Sequence, residues 1–311
     1  MLTVVYLTKN NEKTFEKSLE SIKSIANKII VIDQISTDTT LKIAKKYSAE
    51  ISIKTQENAS ELRNEVIEKI KDGWILFLEP YERLISGAVF LKNRQVPRKY
   101  RFNVIQSGIV TKEVKFWHSS LKTKFVNPIY ESIDLAGSEH LEIYIESFGK
   151  NDINIDRIRN WQKQFPTNAE PFYYEAFYWL THNEYKKFLS SAESFLFRKT
   201  NDITSAMMTY YVGLIELYIN NNVKKSIECV LQCLNSHILM AEFWCLLGDC
   251  YYKTKHYQKA YKFYENAMVL GSSRSKADEW PIEISKYRSH PEKMMNSCRE
   301  IVGNSVIYIS K

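Results

Sequence analysis

The chain has 311 residues and a mass of 36.6 kDa, the size of one large domain or, more readily, two of ordinary size. An apolar fraction of 44% with 25% charged residues excludes wholesale disorder, and only 9 glycines argue against an all-β protein built on Gly-rich turns. The net charge of +7 comes from scattered lysines such as Lys42, Lys45 and Lys46 rather than a basic stripe, which speaks against a nucleic-acid partner.

In chain order, Leu2 to Leu7 reads as a first strand and Lys28 to Ile32 as a second. Between them Phe15, Leu19, Ile22 and Ile25 recur at three- and four-residue spacing, the stripe of a helix that covers a sheet. A second helix is predicted over Thr39 to Tyr47, a short strand over Glu50 to Ile53 and a third helix over Ser60 to Lys71, closed by Asp72-Gly73. Trp74 to Leu78 is the next strand. The alternation β-α-β-α-β-α-β predicts a mostly parallel sheet with helices on both faces, whose ligands bind beyond the carboxyl ends of the strands. Polar turns stand at three of those ends: Thr8 to Glu12, Asp33 to Thr40 and Glu79 to Glu82. Ser36, Thr37 and Asp38 are also ordinary helix-capping types.

Lys9-Asn10, Ile29-Ile30-Val31-Ile32-Asp33 with Ser36-Thr37-Asp38-x-Thr40, Arg63-Asn64, and Asp72-Gly73-Trp74-Ile75-Leu76-Phe77-Leu78 resemble, in that order, family 2 glycosyltransferases of the GT-A fold. The resemblance is closest to a cytoplasmic branch that often precedes tetratricopeptide repeats, and it covers about the first 80 residues. It implies transfer of a sugar from a nucleotide-sugar donor, most simply a UDP sugar, to a protein, peptide or surface-glycan acceptor. Carried over by position, Thr8 and Asn10 would line the base pocket with Asp38 beside them. Asp33 would accept hydrogen bonds from base or ribose, and Arg63 would reach the diphosphate with its guanidinium fork. Asp33 as a helix cap and Arg63 as a solvated helix residue are the plain alternatives.

The family's Asp-x-Asp follows this strand, and its second Asp binds a divalent cation. Here the run is Glu79-Pro80-Tyr81-Glu82, with Glu79 in the first place and Tyr81 in the metal-binding one. A phenol is a poor ligand for Mn²⁺ or Mg²⁺. Three outcomes stay open: Glu82 supplies the metal ligand, cationic side chains replace the ion, or turnover has been lost. Lys112 to Trp117 and Lys124 to Ile133 resemble a later family run, in which Glu131 is kept and Tyr130 replaces a His. Glu131 is then the candidate base for the acceptor hydroxyl, with Asp134 behind it.

Beyond about residue 153 strand signals fade. Trp244-x2-Leu247-Gly248-x2-Tyr251 with Ala260, Tyr264 and Ala267 fits a tetratricopeptide repeat. Tyr211, Leu214, Tyr218, Ile227, Leu231 and Leu234 form a degenerate copy, and Tyr173, Ala176, Trp179, Phe188, Ala192 and Phe195 suggest a third. Such an array binds a peptide or protein partner, or it buttresses the first domain or forms a dimer. The expected organisation is a GT-A-like α/β domain over 1–149, a repeat domain over 150–272 with Ile153 to Phe165 as connecting helix, and a capping segment over 273–311. In that segment Ser305 to Ile309 suggests a strand. No stretch approaches the ~18 apolar residues of a membrane span. Met1 to Tyr6 lacks the basic flank of a signal peptide. With no secretory signal, the five cysteines, none in a CxxC, read as reduced packing thiols of a cytoplasmic protein. The six histidines are dispersed and receive no role.

Overall fold

The structure is a computed structural model that describes residues 1–55, 58–91, 95–127, 131–149, 155–199, 202–274 and 281–309. The chain divides into two compact units, Met1–Asp152 with Glu279–Ile282, and Ile153–Asp278 with Glu283–Lys311. The expected boundary at Lys150-Asn151-Asp152 lies outside the described residues.

In the N-terminal unit the strands β1 (Leu2–Thr8), β2 (Lys28–Asp33), β3 (Glu50–Ile53) and β4 (Trp74–Phe77) alternate with the helices α1 (Glu12–Ile22), α2 (Thr40–Lys46) and α3 (Ala59–Ile67). They pair in parallel in the order β3-β2-β1-β4. Side chains alternate across β1. Val4 and Tyr6 join Phe15, Leu19 and Ile22 of α1 on one face, while Val5 and Leu7 meet Leu62, Val66 and Ile67 of α3 on the other. Helices thus cover both faces, as the alternation predicts. Gly73 enters β4 with φ +113°, and a Cβ there would lie 2.6 Å from the Met1 carbonyl oxygen, so glycine is required.

Beyond β4 the sheet is no longer mostly parallel. β5 (Glu82–Ser86), β6 (Lys99–Gln106), β7 (Ile109–His118) and β8 (Ser138–Ser147) extend it as β4-β7-β6-β8-β5. β7 runs antiparallel to both β4 and β6. The β6–β7 hairpin turns on Ser107 and Gly108, both at positive φ, the geometry that suits the twist of paired strands.

The second unit is helical: α4 (Ile155–Gln164), α5 (Glu170–Thr181), α6 (Tyr185–Arg198), α7 (Ile203–Tyr218), α8 (Val223–Ser236), α9 (Ala241–Lys253), α10 (Tyr257–Ser272) and α11 (Ser289–Ile309). Pairs α5/α6, α7/α8 and α9/α10 stand where the three repeats are expected. Each pair turns through a short connection with one left-handed residue, Asn183, Asn221 or Lys255. Gly248 is the point of closest approach in the last pair: Tyr264 lies over it, and a Cβ would fall 2.6 Å from the ring. Tyr264 thus packs against α9 of its own repeat and also against Cys298 and His290 of α11. Ser305 to Ile309, expected as a strand, continues α11 instead. The five cysteines are free thiols, four of them buried, as expected of packing residues. Burial raises the Cys250 thiol to about 11, which keeps it protonated. Among the described residues no helix is long and apolar enough to cross a membrane.

One buried carboxylate ties this unit together. Asp249 on α9 accepts hydrogen bonds from Tyr264 Oη (2.6 Å) and Tyr218 Oη (2.7 Å), and its Oδ1 lies 3.1 Å from His290 Nε2 on α11. Burial acts to raise its pKa, but His290, Lys286 and Tyr264 outweigh that, and the value falls below that of an ordinary aspartate.

Two outcomes are expected. Gly248→Ala should lower stability by about 1–3 kcal/mol in urea denaturation, since the Tyr264 ring must shift. Asp249 is depressed, so its contribution is complete above the unfolded value of about 3.9 and is lost as pH falls through the lower folded value. Wild-type stability should therefore drop below about pH 4 more steeply than that of Asp249→Asn.

Candidate active site

The carboxyl ends of β1 and β2 lie side by side, with Thr8 opposite Asp33. Asp33 is completely buried. Its carboxylate accepts from Thr8 Oγ1 (2.9 Å), from the Ser36 amide (2.8 Å) and from Ser36 Oγ (2.6 Å). A buried carboxylate needs such donors, and this one takes them from the turn it closes. Thr8 is equally buried. Asp33 and Thr8, expected at the base, hold the turn in this structure.

The rest of the Ser36–Thr40 run locks this turn to the one after β1. Asn10, at φ +53°, donates its amide to Ser36 Oγ (2.9 Å) and accepts from the Thr37 amide at Oδ1 (2.8 Å). The Asn11 amide reaches Thr40 Oγ1 (2.8 Å) and the Glu12 amide reaches Asp38 Oδ2 (3.1 Å). Glu12 Oε2 in return accepts from the Thr39 amide and hydroxyl. Asp38 also caps α2 through the Thr40 amide (2.9 Å). Burial works to raise its pKa, yet these hydrogen bonds prevail and lower it. Asn10 and Asp38 remain at a surface, where with Glu12, Lys13, Tyr81 and Phe148 they line a cleft of about 510 Å³.

Arg63 of α3 is the centre of a second group. Its side chain is 6% exposed, and its Nη2 lies 2.9 Å from Glu79 Oε1 and 3.5 Å from Glu131 Oε2. The guanidinium sits over the rings of Phe77 (4.7 Å) and Phe125 (4.9 Å), contacts that hold its plane in place. Burial opposes its charge, but Glu79 and Glu131 more than offset this and raise its pKa. The neighbouring Asn64 explains how Glu131 arrives: it bonds the Phe125 backbone at both its oxygen (2.9 Å) and its amide (2.8 Å), which fixes the segment bearing Glu131 to α3. Val126 and Ser132 then close a bridge across the loop. The structure thus unites Arg63, Glu79 and Glu131, while Tyr130 lies outside the described residues. Asp134 accepts a hydrogen bond from the Ala136 amide (2.9 Å).

Glu82 belongs to a third arrangement. Both its oxygens accept from Lys115 Nζ of β7, at 2.8 and 2.9 Å, and Oε2 also accepts from the Glu79 amide (2.9 Å). Lys115 reaches Glu113 as well (3.1 Å). Burial acts against the ammonium, but Glu113, Glu82 and Glu79 prevail and lift its pKa above the usual lysine value. Burial, with Glu79 and Glu82 beside it, pushes the Tyr81 phenol well up, so it is neutral. Glu82, expected as a metal ligand, gives both oxygens to Lys115. Glu79 is paired with Arg63, Glu82 with Lys115, and Tyr81 carries no charge. Among the described residues no three carboxylate, imidazole or thiol side chains converge on one point. The run does not fit a divalent cation. Lys115 was missed as a partner, although a lysine inside the otherwise apolar stretch Val114 to Trp117 is the signal of a buried ion pair.

Residues 3–79 match the family described as glycosyl transferase family 2. The SPbeta prophage-derived glycosyltransferase SunS of Bacillus subtilis (strain 168) is 35% identical over 81 residues, 25% of this chain and 19% of that protein. An uncharacterized glycosyltransferase of Rickettsia bellii (strain RML369-C) is 30% identical over 83 residues, 27% of this chain and 28% of its own. The chain thus spans less than a third of the length of these curated relatives. Among solved structures, glucosyl-3-phosphoglycerate synthase from Mycobacterium tuberculosis, in complex with Mn²⁺, UDP and glucosyl-3-phosphoglycerate, aligns with TM-score 0.40 and 14% identity over 54% of this chain and 77% of that one. MamA from Desulfovibrio magneticus RS-1 aligns with TM-score 0.35 and 17% identity over 47% of this chain and 84% of that one. Residues 3–79 thus match glycosyl transferase family 2, and in this chain they are followed by an array of paired helices.

Proposed function

We propose that the chain is a glycosyltransferase that takes a sugar from a nucleotide-sugar donor, a UDP sugar in the simplest case, and passes it to a hydroxyl-bearing acceptor on a protein, peptide or surface glycan. The observation that carries this reading is the meeting of Arg63, Glu79 and Glu131 beyond the carboxyl ends of the parallel strands. A guanidinium fork suits the donor diphosphate. Glu131 takes the proton of the acceptor hydroxyl as its oxygen attacks the anomeric carbon and the bond to the diphosphate breaks. Asn10 and Asp38 shape the donor end of the cleft, and Thr8 and Asp33 keep the turn in which they stand. The helix pairs hold the acceptor or a partner protein, in one chain or in a dimer. The free thiols suit a reducing, cytoplasmic setting.

A second reading is favoured by the saturation of Asp33 and Glu82 with bonds inside the chain: the unit binds nucleotide sugars, or only supports the helices, without turnover. Incubation with UDP sugars and candidate acceptors, followed by mass spectrometry of the acceptor and measurement of released UDP, separates the two. Transfer supports the first, and absence of turnover with retained UDP binding supports the second.

Two variants test the assigned roles. Glu131→Gln should lower transfer about 10²–10⁴-fold while UDP still binds in calorimetry. Asp33→Ala should weaken UDP binding and also cost about 1–3 kcal/mol of stability, because Thr8 and Ser36 lose their common acceptor. Unchanged thermal stability with lost binding would return Asp33 to direct contact with the base.

A further inference from the structure

The acidic run Glu79–Glu82 stands where this fold family places a divalent cation, yet each of its charges already has a fixed counter-charge. Glu79 shares Arg63 with Glu131, and Glu82 gives both oxygens to Lys115. Both cations are almost fully buried and held by surroundings that favour their charged forms. Arg63 is also incompletely satisfied: its Nε is buried and has no hydrogen-bond partner among the described residues. A buried N–H without an acceptor is costly, and a ligand oxygen would relieve it. We infer that the site accepts a nucleoside diphosphate without a divalent cation, with Arg63 as the positive charge that meets the phosphates and Lys115 as the charge that silences Glu82. This inference rests on the nucleotide-sugar reading above.

The charge count fixes the sign of its consequences. Glu79 and Glu131 compete with the phosphates for Arg63, so the ligand binds by displacing carboxylates. Removing one of those negative charges must then help the ligand. If Glu79 instead held a metal ion carrying the diphosphate, removing its charge would weaken binding.

The experiment is calorimetric titration of the full chain with UDP, in chelator and in millimolar Mn²⁺, together with Mn²⁺ binding followed by electron paramagnetic resonance. UDP affinity should agree within about twofold between the two conditions, and UDP should leave the signal of aqueous Mn²⁺ unchanged. Glu79→Gln and Glu131→Gln should each tighten UDP binding about three- to tenfold in chelator. Arg63→Ala should weaken it at least tenfold, with no rescue by Mn²⁺. Binding that requires Mn²⁺, or that Glu79→Gln weakens in its presence, overturns the inference and leaves the nucleotide reading standing. Absence of UDP binding in both conditions overturns both. Should Glu79→Gln fail to fold, Glu131→Gln carries the same sign test.

Discussion

A carboxylate with no access to water must find its hydrogen-bond donors inside the protein, and at the end of β2 this constraint organises the whole ligand edge of the sheet. Asp33 draws in Thr8 from β1 and Ser36 from the following turn. Once Ser36 is placed, the amides of Asn10, Asn11 and Glu12 meet Ser36, Thr40 and Asp38 in register. Two loops that would otherwise move separately become one surface. A row of Ser, Thr and Asp is well suited to this, because each short side chain can bond a backbone group of the adjoining loop.

Charge is managed in the same way at the end of β4. Arg63 and Lys115 are buried with carboxylates, and neither could be tolerated there alone. The Arg63–Glu131 pair runs from α3 to the loop of Glu131 and joins the parallel half of the sheet to its mixed extension, while the Glu82–Lys115 pair ties β5 to β7 within that extension. The extension is thereby more than a cover for the core: it delivers Glu131 to Arg63 of the first half. The two carboxylates of Glu79-Pro80-Tyr81-Glu82 are met by these internal cations.

The helical unit solves a related problem by different means. Three tyrosine and histidine groups converge on Asp249 from α7, α10 and α11, so one carboxylate links the second repeat, the third repeat and the terminal helix. Small residues then permit close packing: Gly248 under Tyr264, and Gly271 against Ala241. Repeats contact mainly their neighbours, so such a bond across three elements adds cohesion that pairwise stacking lacks.

The first 80 residues could be read from the sequence because their signals are local. Helix stripes such as Phe15-Leu19-Ile22 and the buried β-rich runs depend on spacing along the chain. The same holds for Trp244, Gly248 and Tyr264, whose spacing defines a helix pair. The strands from Glu82 to Ser147 were not legible, since half-buried antiparallel strands carry a weak alternation. The sequence likewise offered Asp33, Arg63, Glu79, Glu82 and Glu131 as candidates, but it could not assign their partners. Whether a carboxylate faces a ligand, a turn or a lysine depends on which strand folds beside it. Arg63 and Glu131 are 68 positions apart, and Glu82 and Lys115 are 33 apart. Composition and periodicity act over one or two turns of chain, whereas burial and pairing of charge are settled only when distant strands close over them, and that closure decided the character of this site.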